Sequence, residues 1–278
     1  MTQEIINCLP KRISEQLSKH DLSALNEIRI AVSRPITLTV GEKSILLGDT
    51  VSAEEMNNTV SNLCHGSLHS FEKTMSEGYI PLSNGCRVGV CGRYSEGSVT
   101  SVTSIVIRIP RSIAGIGSGL CKRLMMMDGG MLLYSPPGIG KTTLLRDIAS
   151  TLSSPPYLKR VAVIDSRNEI FRPDTFKHSI ADIYTSYPKS VGIELAVRTM
   201  SPQYVVCDEL GAEEADSILS TQSFGVPLIA SAHAPSLDSL LSRRVYKKLD
   251  ESGIFSAYVG IRREGRGFSF DISERRSL

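Results

Sequence analysis

Between Met131 and Ala149 the chain reads as a short apolar run, a glycine-bearing turn and a helix. The run is Met131-Leu132-Leu133-Tyr134, the turn is Ser135-Pro136-Pro137-Gly138-Ile139-Gly140-Lys141-Thr142-Thr143, and Leu144, Leu145 and Ile148 follow at helical spacing. A strand passing through such a turn directly into a helix can be built in few ways, and lysine then threonine at the helix start narrows them further. Gly138 and Gly140 let the backbone curl so that successive N–H groups converge on an anion, and the helix adds its positive end. Lys141 is then placed for the β- and γ-phosphates of a nucleotide, and the Thr142 hydroxyl for Mg2+. The segment from Ser135 to Thr143 therefore predicts a P-loop. Ser135 stands where the strict pattern has glycine, a departure that its small size makes tolerable. A proline-glycine turn beside a surface lysine is the bland alternative, and it leaves the flanking strand and helix unexplained.

A second segment supports the first. Tyr204-Val205-Val206-Cys207 is an apolar strand ending in Asp208-Glu209. After a P-loop this is the Walker B arrangement, in which Asp208 holds magnesium through water and Glu209 polarises the attacking water. Two further strands end in polar residues at the same sheet edge: Val161 to Ile164 runs into Asp165-Ser166-Arg167-Asn168-Glu169, and Leu228 to Ala230 runs into Ser231-Ala232-His233-Ala234. His233 is placed to report the γ-phosphate, or is a strand-end histidine satisfied by backbone. Asp165 and Glu169 either orient water or metal or cap the following loop. Arg198, just before the Walker B strand, is placed to help at the γ-phosphate from its own subunit.

The remaining chain bounds the partners. Its 278 residues carry a formal charge of +2, too little for a protein that coats nucleic acid by bulk electrostatics. Residues 1 to 112 hold 11 basic and 11 acidic side chains, and tryptophan is absent, so no base-stacking or nucleic-acid surface is expected. Residues 240 to 278 carry nine lysines and arginines against five acids, which reads as a solvated helix face or a surface for an acidic partner. Cys8, Cys64, Cys86, Cys91, Cys121 and Cys207 form no CxxC pair, which suits thiols in a reducing cytosol; Cys86 and Cys91 should face opposite sides of a strand. His65 and His69 have no third metal ligand in view, and Met125-Met126-Met127 reads as core filling at a helix end. No run of 18 apolar residues or cationic leader occurs, so a cytoplasmic chain without a transmembrane segment is expected.

Residues 2 to 18 show helical spacing interrupted by Pro10, and extended runs follow at 27–32 and 36–40, with a turn at Gly41-Glu42-Lys43-Ser44 into 45–47. Ser52-Ala53-Glu54-Glu55 predicts a capping box opening a helix to about Cys64, a second helix covers 68–76, and strands return at 86–94 and 104–109. Composition changes after Pro110-Arg111, where Gly115, Gly117 and Gly119 lead to a short helix at 120–127. The expected fold is therefore an α+β domain over 1–112 followed by a RecA-like P-loop NTPase domain with a mainly parallel sheet over 113–278, closed by an antiparallel hairpin around Gly265-Arg266-Gly267.

The P-loop, acidic strand end, Asp208-Glu209 and Ser-Ala-His-Ala resemble, in order and spacing, the Walker A, aspartate box, Walker B and histidine box of type II and type IV secretion ATPases. The aspartate box is the poorest match, keeping two acids but not their order. A closer resemblance, from end to end, is to the stage III sporulation protein AA family. It is carried by Glu27-Ile28-Arg29-Ile30 with Arg34-Pro35, Phe71 through Gly78-Tyr79-Ile80, Arg87-Val88-Gly89 with Gly92-Arg93, Ser135-Pro136-Pro137-Gly138, Arg198-Thr199-Met200-Ser201-Pro202 and Asp208-Glu209-Leu210-Gly211. Ser135 looks like that family's own form of the loop. The resemblance implies a cytosolic ATPase of the mother cell, peripheral to membrane proteins of a channel linking mother cell and forespore. It also implies a ring, a hexamer, in which the N-terminal domain lies over the nucleotide, with Arg87 and Arg93 as first choices for its contribution among Arg29, Arg34 and Arg108. Two other functions compete: a nucleotide-gated scaffold with little turnover, against which Glu209 argues, and a nucleic-acid motor, against which the charge balance argues.

Overall fold

The computed structural model describes residues 2–20, 25–41, 43–82, 87–109, 114–211, 214, 218–219, 225–264 and 267–275. Cys86, the Pro110-Arg111 boundary, and the turn positions Glu42 and Gly265-Arg266 lie outside them. The chain divides into two compact units, Met1–Arg111 and Ser112–Leu278.

The first unit starts with two helices, α1 (Thr2–Asn7) and α2 (Lys11–Leu17). Pro10 separates them, because it has no N–H for an upstream carbonyl and its φ of −53° suits a helix entrance. One antiparallel sheet holds β1 (Leu25–Ala31), β2 (Pro35–Val40), β3 (Lys43–Thr50), β4 (Tyr79–Pro81), β5 (Arg87–Ser95) and β6 (Ser98–Arg108) in the order β3-β2-β1-β6-β5-β4. Alternation along the strands sends Ile28 and Ile30, Ile36 and Leu38, and Ile105 and Ile107 to one face. There they pack with Ile13 and Leu17 of α2 and with Met56 and Val60 of α3 (Ala53–Leu63). The capping box forms as expected: the Glu55 N–H donates to Ser52 Oγ at 3.1 Å, and the Ser52 N–H donates to Glu55 Oε2 at 2.9 Å. Arg12 donates to both Glu55 oxygens, at 2.9 and 2.8 Å, and this guanidinium contact lowers the Glu55 carboxyl pKa. A 3-10 turn (Leu68–Phe71) precedes α4 (Glu72–Ser76), where His69 lies 3.1 Å from Glu72 as a surface pair.

Three arginines of this sheet have local partners. Arg29 and Arg108 approach Glu27 at 3.1 and 3.8 Å, and the Arg87 guanidinium lies 4.8 Å over the Tyr79 ring.

The second unit is a seven-stranded sheet in the order β13-β12-β7-β11-β10-β8-β9. Its strands are β7 (Gly130–Ser135), β8 (Val161–Asp165), β9 (Asp182–Thr185), β10 (Tyr204–Cys207), β11 (Leu228–His233), β12 (Phe255–Glu264) and β13 (Gly267–Glu274). All neighbours pair in parallel except β12 with β13, which form the expected antiparallel hairpin. Both faces are buried. Met131, Leu133, Val163 and Val206 meet α5 (Ser118–Leu124) and α6 (Lys141–Ser153) through Leu120, Leu144 and Ile148. Leu132, Tyr134, Ile164 and Val205 meet α7 (Lys189–Met200), α8 (Leu237–Leu241) and α9 (Arg244–Ser252) through Ile193, Leu240 and Leu249. Near-continuous apolar strands therefore serve two cores at once.

The strand β9 has no counterpart among the apolar runs of the sequence. It is a four-residue edge strand beginning at Asp182 and only half-buried, so no continuous apolar signal marks it. Met126 also departs from the core-filling expectation: it is 87% exposed, while Met125 and Met127 pack against the core beside α6. Burial pushes the Cys121 thiol up to about 12 and raises Cys207 too, so both act as small apolar groups.

Candidate functional site

The strand β7 ends at Ser135, and α6 starts at Lys141, so five residues form the connecting loop. Gly138 at φ +79° and Gly140 at φ +122° supply the left-handed backbone that the curl requires. At Gly140 a Cβ would also lie 2.8 Å from the Phe268 ring of β13, so that ring backs the loop closely. Pro136, Pro137 and Gly138 are exposed, Ile139 and Gly140 are half-buried, and Thr142 and Thr143 occupy the first turn of α6.

Lys141 is buried, and its amine is held by the loop it follows. Nζ donates to the Ser135 carbonyl at 3.0 Å, the Ser135 hydroxyl at 3.3 Å and the Pro136 carbonyl at 3.2 Å. Ser135 is thus more than a tolerated small residue, because its Oγ is one of the acceptors. Nζ also lies 2.8 Å from His233 Nδ1. Burial lowers the Lys141 pKa to about 8, with Glu209 pulling the other way.

Parallel pairing explains how His233 reaches this point, since it is the last residue of β11 and sits opposite Ser135 in register. Its ring nitrogens face side chains rather than backbone: Nδ1 faces Lys141, and Nε2 lies 3.4 Å from Glu209 Oε1. The second oxygen of Glu209 is 3.1 Å from Arg167. Lys141, His233, Glu209 and Arg167 therefore form a continuous polar chain across the carboxyl ends of β7, β11, β10 and β8.

Asp208 is 3% exposed, and neither of its oxygens meets a hydrogen-bond donor at good geometry among the described residues. Desolvation raises its carboxyl pKa, opposed by Lys189, whose amine lies 3.3 Å from Oδ1. A buried carboxylate whose oxygens are short of donors is a fit for a hard, oxygen-seeking cation such as Mg2+.

Asp165 resolves differently. Its carboxylate accepts the N–H groups of Glu169, Ile170 and Phe171 at 2.7, 3.0 and 2.8 Å, so it caps the loop after β8. Arg146 of α6 donates to the carbonyls of Glu169 and Ile170, fastening the same loop.

Arg198 is not brought to the site. It lies nine residues beyond Lys189 on α7, about 14 Å along the axis at 1.5 Å per residue. It is exposed there and pairs with Glu194 at 2.9 Å. The expected place beside the γ-phosphate is not where the described structure puts it, because α7 carries it away from its own first residue, Lys189, which meets Asp208. Sequence reasoning missed Lys189, Arg167 and the use of the Ser135 hydroxyl. A lysine after Pro188 reads as a surface residue, and only the fold buries it.

No helix among the described residues is long and apolar enough to cross a membrane. The family described as sporulation stage III, protein AA, matches residues 1–276. Stage III sporulation protein AA of Bacillus subtilis (strain 168) is 31% identical over 279 aligned positions, covering 94% of this chain and 91% of that protein. Among solved structures, the pilus retraction motor PilT with bound ADP is similar at a TM-score of 0.68 and 14% identity, over 96% of this chain and 83% of that one. The ATPase DotB of Legionella pneumophila is similar at a TM-score of 0.64 and 16% identity, over 91% and 76%. The two structures share the fold of this chain.

Proposed function

The chain belongs to the sporulation stage III protein AA family, and from that premise we propose that it is a magnesium-dependent ATPase that drives or assembles a membrane-embedded channel between mother cell and forespore. The observation that carries the reading is the Lys141–His233–Glu209 chain, which gathers an ammonium, an imidazole and a carboxylate at adjacent strand ends. Backbone N–H groups around Gly138 and Gly140, with the N-terminal end of α6, bind the phosphates. Lys141 exchanges its carbonyl partners at Ser135 and Pro136 for β- and γ-phosphate oxygens. Magnesium, held by the Thr142 hydroxyl and through water by Asp208, would supply charge neutralisation at those oxygens.

Glu209 accepts the proton of the attacking water as its oxygen bonds to the γ-phosphorus and the bond to the β–γ bridging oxygen breaks. His233 keeps the carboxylate in place and senses the γ-phosphate through the amine it shares with Lys141. Glu209→Gln is expected to retain nucleotide binding and to slow hydrolysis by a factor on the order of 10² or more, the range of a lost general base. Unchanged turnover in that variant would move the base elsewhere, and wild-type protein that binds ATP without hydrolysing it would favour a nucleotide-gated scaffold.

A further inference from the structure

Lys189 opens α7, and its side chain is only 6% exposed. A buried ammonium has a large desolvation cost, and the start of a helix repels a cation. Stability alone therefore gives no reason for a lysine here, since buried ion pairs are often matched by apolar residues of the same volume. Its amine instead meets three groups on the stretch leaving β10. It lies 3.3 Å from Asp208 Oδ1 and 3.5 Å from Glu214 Oε1, and it donates a hydrogen bond to the Glu209 carbonyl oxygen. Glu214 in turn accepts the Gly211 N–H at 2.6 Å. One side chain thus grips the carboxylate of Asp208, the peptide of Glu209 and, through Glu214, the turn that follows. Asp165 and Glu169 add further negative charge around Asp208, so Lys189 is a cation within a predominantly acidic cluster.

The geometry points to Lys189 as a positioning residue with two effects: it fixes the Glu209 backbone for hydrolysis, and it shares the charge of Asp208 so that magnesium is held loosely enough to leave with product. The inference rests on the ATPase reading above. The two effects separate in an unusual way when the charge is removed. A neutral side chain leaves the acidic cluster less compensated, which strengthens its attraction for a divalent cation. It also releases the Glu209 peptide, which slows turnover. A residue that only supported the fold would weaken both.

Lys189→Met and Lys189→Gln should be compared with wild type as full-length protein; both remove the charge, and the glutamine amide ends one bond short of the lysine nitrogen that holds the Glu209 carbonyl. Binding of a fluorescent ADP analogue in EDTA reports the P-loop and is expected to change by less than about threefold. Titrating Mg2+ into that complex is expected to give half-saturation at a concentration about tenfold or more lower than wild type, while kcat falls about tenfold or more with little change in KM for ATP. Unchanged or weaker magnesium binding in either folded variant overturns the inference, as does wild-type turnover. Loss of magnesium-free ADP binding in both variants marks a folding role and overturns it equally. Wild-type protein without magnesium-dependent binding or turnover removes the ATPase reading itself.

Discussion

Lys141 Nζ stands 2.8 Å from Nδ1 of His233, so the lysine of the glycine loop and the last residue of β11 are direct partners. The same ring turns Nε2 toward Glu209 Oε1 at 3.4 Å, so His233 stands between the amine and the carboxylate. Lys141→Ala should lose tight nucleotide binding, because the charge opposing the phosphates is gone. His233→Ala should keep it and slow turnover by about tenfold or more, since Lys141 retains its charge and its loop partners while Glu209 loses its neighbour. Equilibrium binding of fluorescent ADP beside steady-state hydrolysis separates the two, and equal losses in both variants would refute the division of roles.

Asp165 and Asp208 look alike as acids at the ends of parallel strands, but substitution should distinguish them. Asp165→Ala strands three N–H groups that now share one charged acceptor, at a cost of about 3 kcal/mol in unfolding free energy. Its magnesium affinity should weaken through the loss of one charge near Asp208, but by far less than in Asp208→Ala. Urea unfolding and a magnesium titration of the same variant check both halves. A large metal effect with little loss of stability would return Asp165 to the metal site.

The contrast shows what was legible in the amino-acid order. The P-loop, the Asp208-Glu209 strand end and the apolar strands were readable because each combines a local backbone demand with a chemical residue type. Asp165 remained open between two roles because a carboxylate at a strand end serves capping and metal binding equally well until its neighbours are placed. For Arg198 the sequence carries no such signal: proximity to β10 along the chain says nothing about which end of α7 meets Asp208. Lys189 and β9 were invisible, one because burial is a tertiary property and the other because edge strands carry no apolar run.

The pair of Arg12 with Glu55 gives a pH dependence of known sign. The Glu55 carboxyl is held below its ordinary value of 4.5, by the Arg12 hydrogen bond first and the Ser52 backbone N–H second. A depressed carboxyl contributes stability that is complete above the unfolded value and is lost as pH falls through the folded one. Arg12→Ala should therefore destabilise by about 1 kcal/mol or less near pH 7, the scale of a partly exposed pair. Its difference from wild type should shrink as the pH is lowered below about 4.5 in urea melts. A difference that is constant from pH 3 to 7 would assign the effect to packing instead.

Assembly is open to a dilution test. If a ring of subunits completes the site, ATPase rate per subunit should rise with protein concentration, in step with mass from light scattering. Arg87→Ala and Arg93→Ala should then lower the rate of the assembled form, by up to about 10³-fold if either supplies charge to the γ-phosphate. Arg198→Ala should leave turnover within about twofold, because its surface pair with Glu194 contributes only about 0.5 kcal/mol or less. A fully active monomer at every dilution rules the ring out.

The central position of β7 sets a timetable for the chain's own synthesis. Its lateral partners are β11 and β12, made about 100 and about 125 residues later, and the ring that backs Gly140 belongs to Phe268, about 130 residues downstream. At 5–20 residues per second the ribosome takes about 6 to 26 s to travel from one to the other. In the first unit the longest such wait is shorter, about 75 to 80 residues between β1 and its partner β6. During that interval β7 has only the adjacent helices α5 and α6 to pack against, and the loop lacks the ring that backs it. The order of synthesis thus leaves the glycine loop among the last parts of the second unit to acquire its full surroundings.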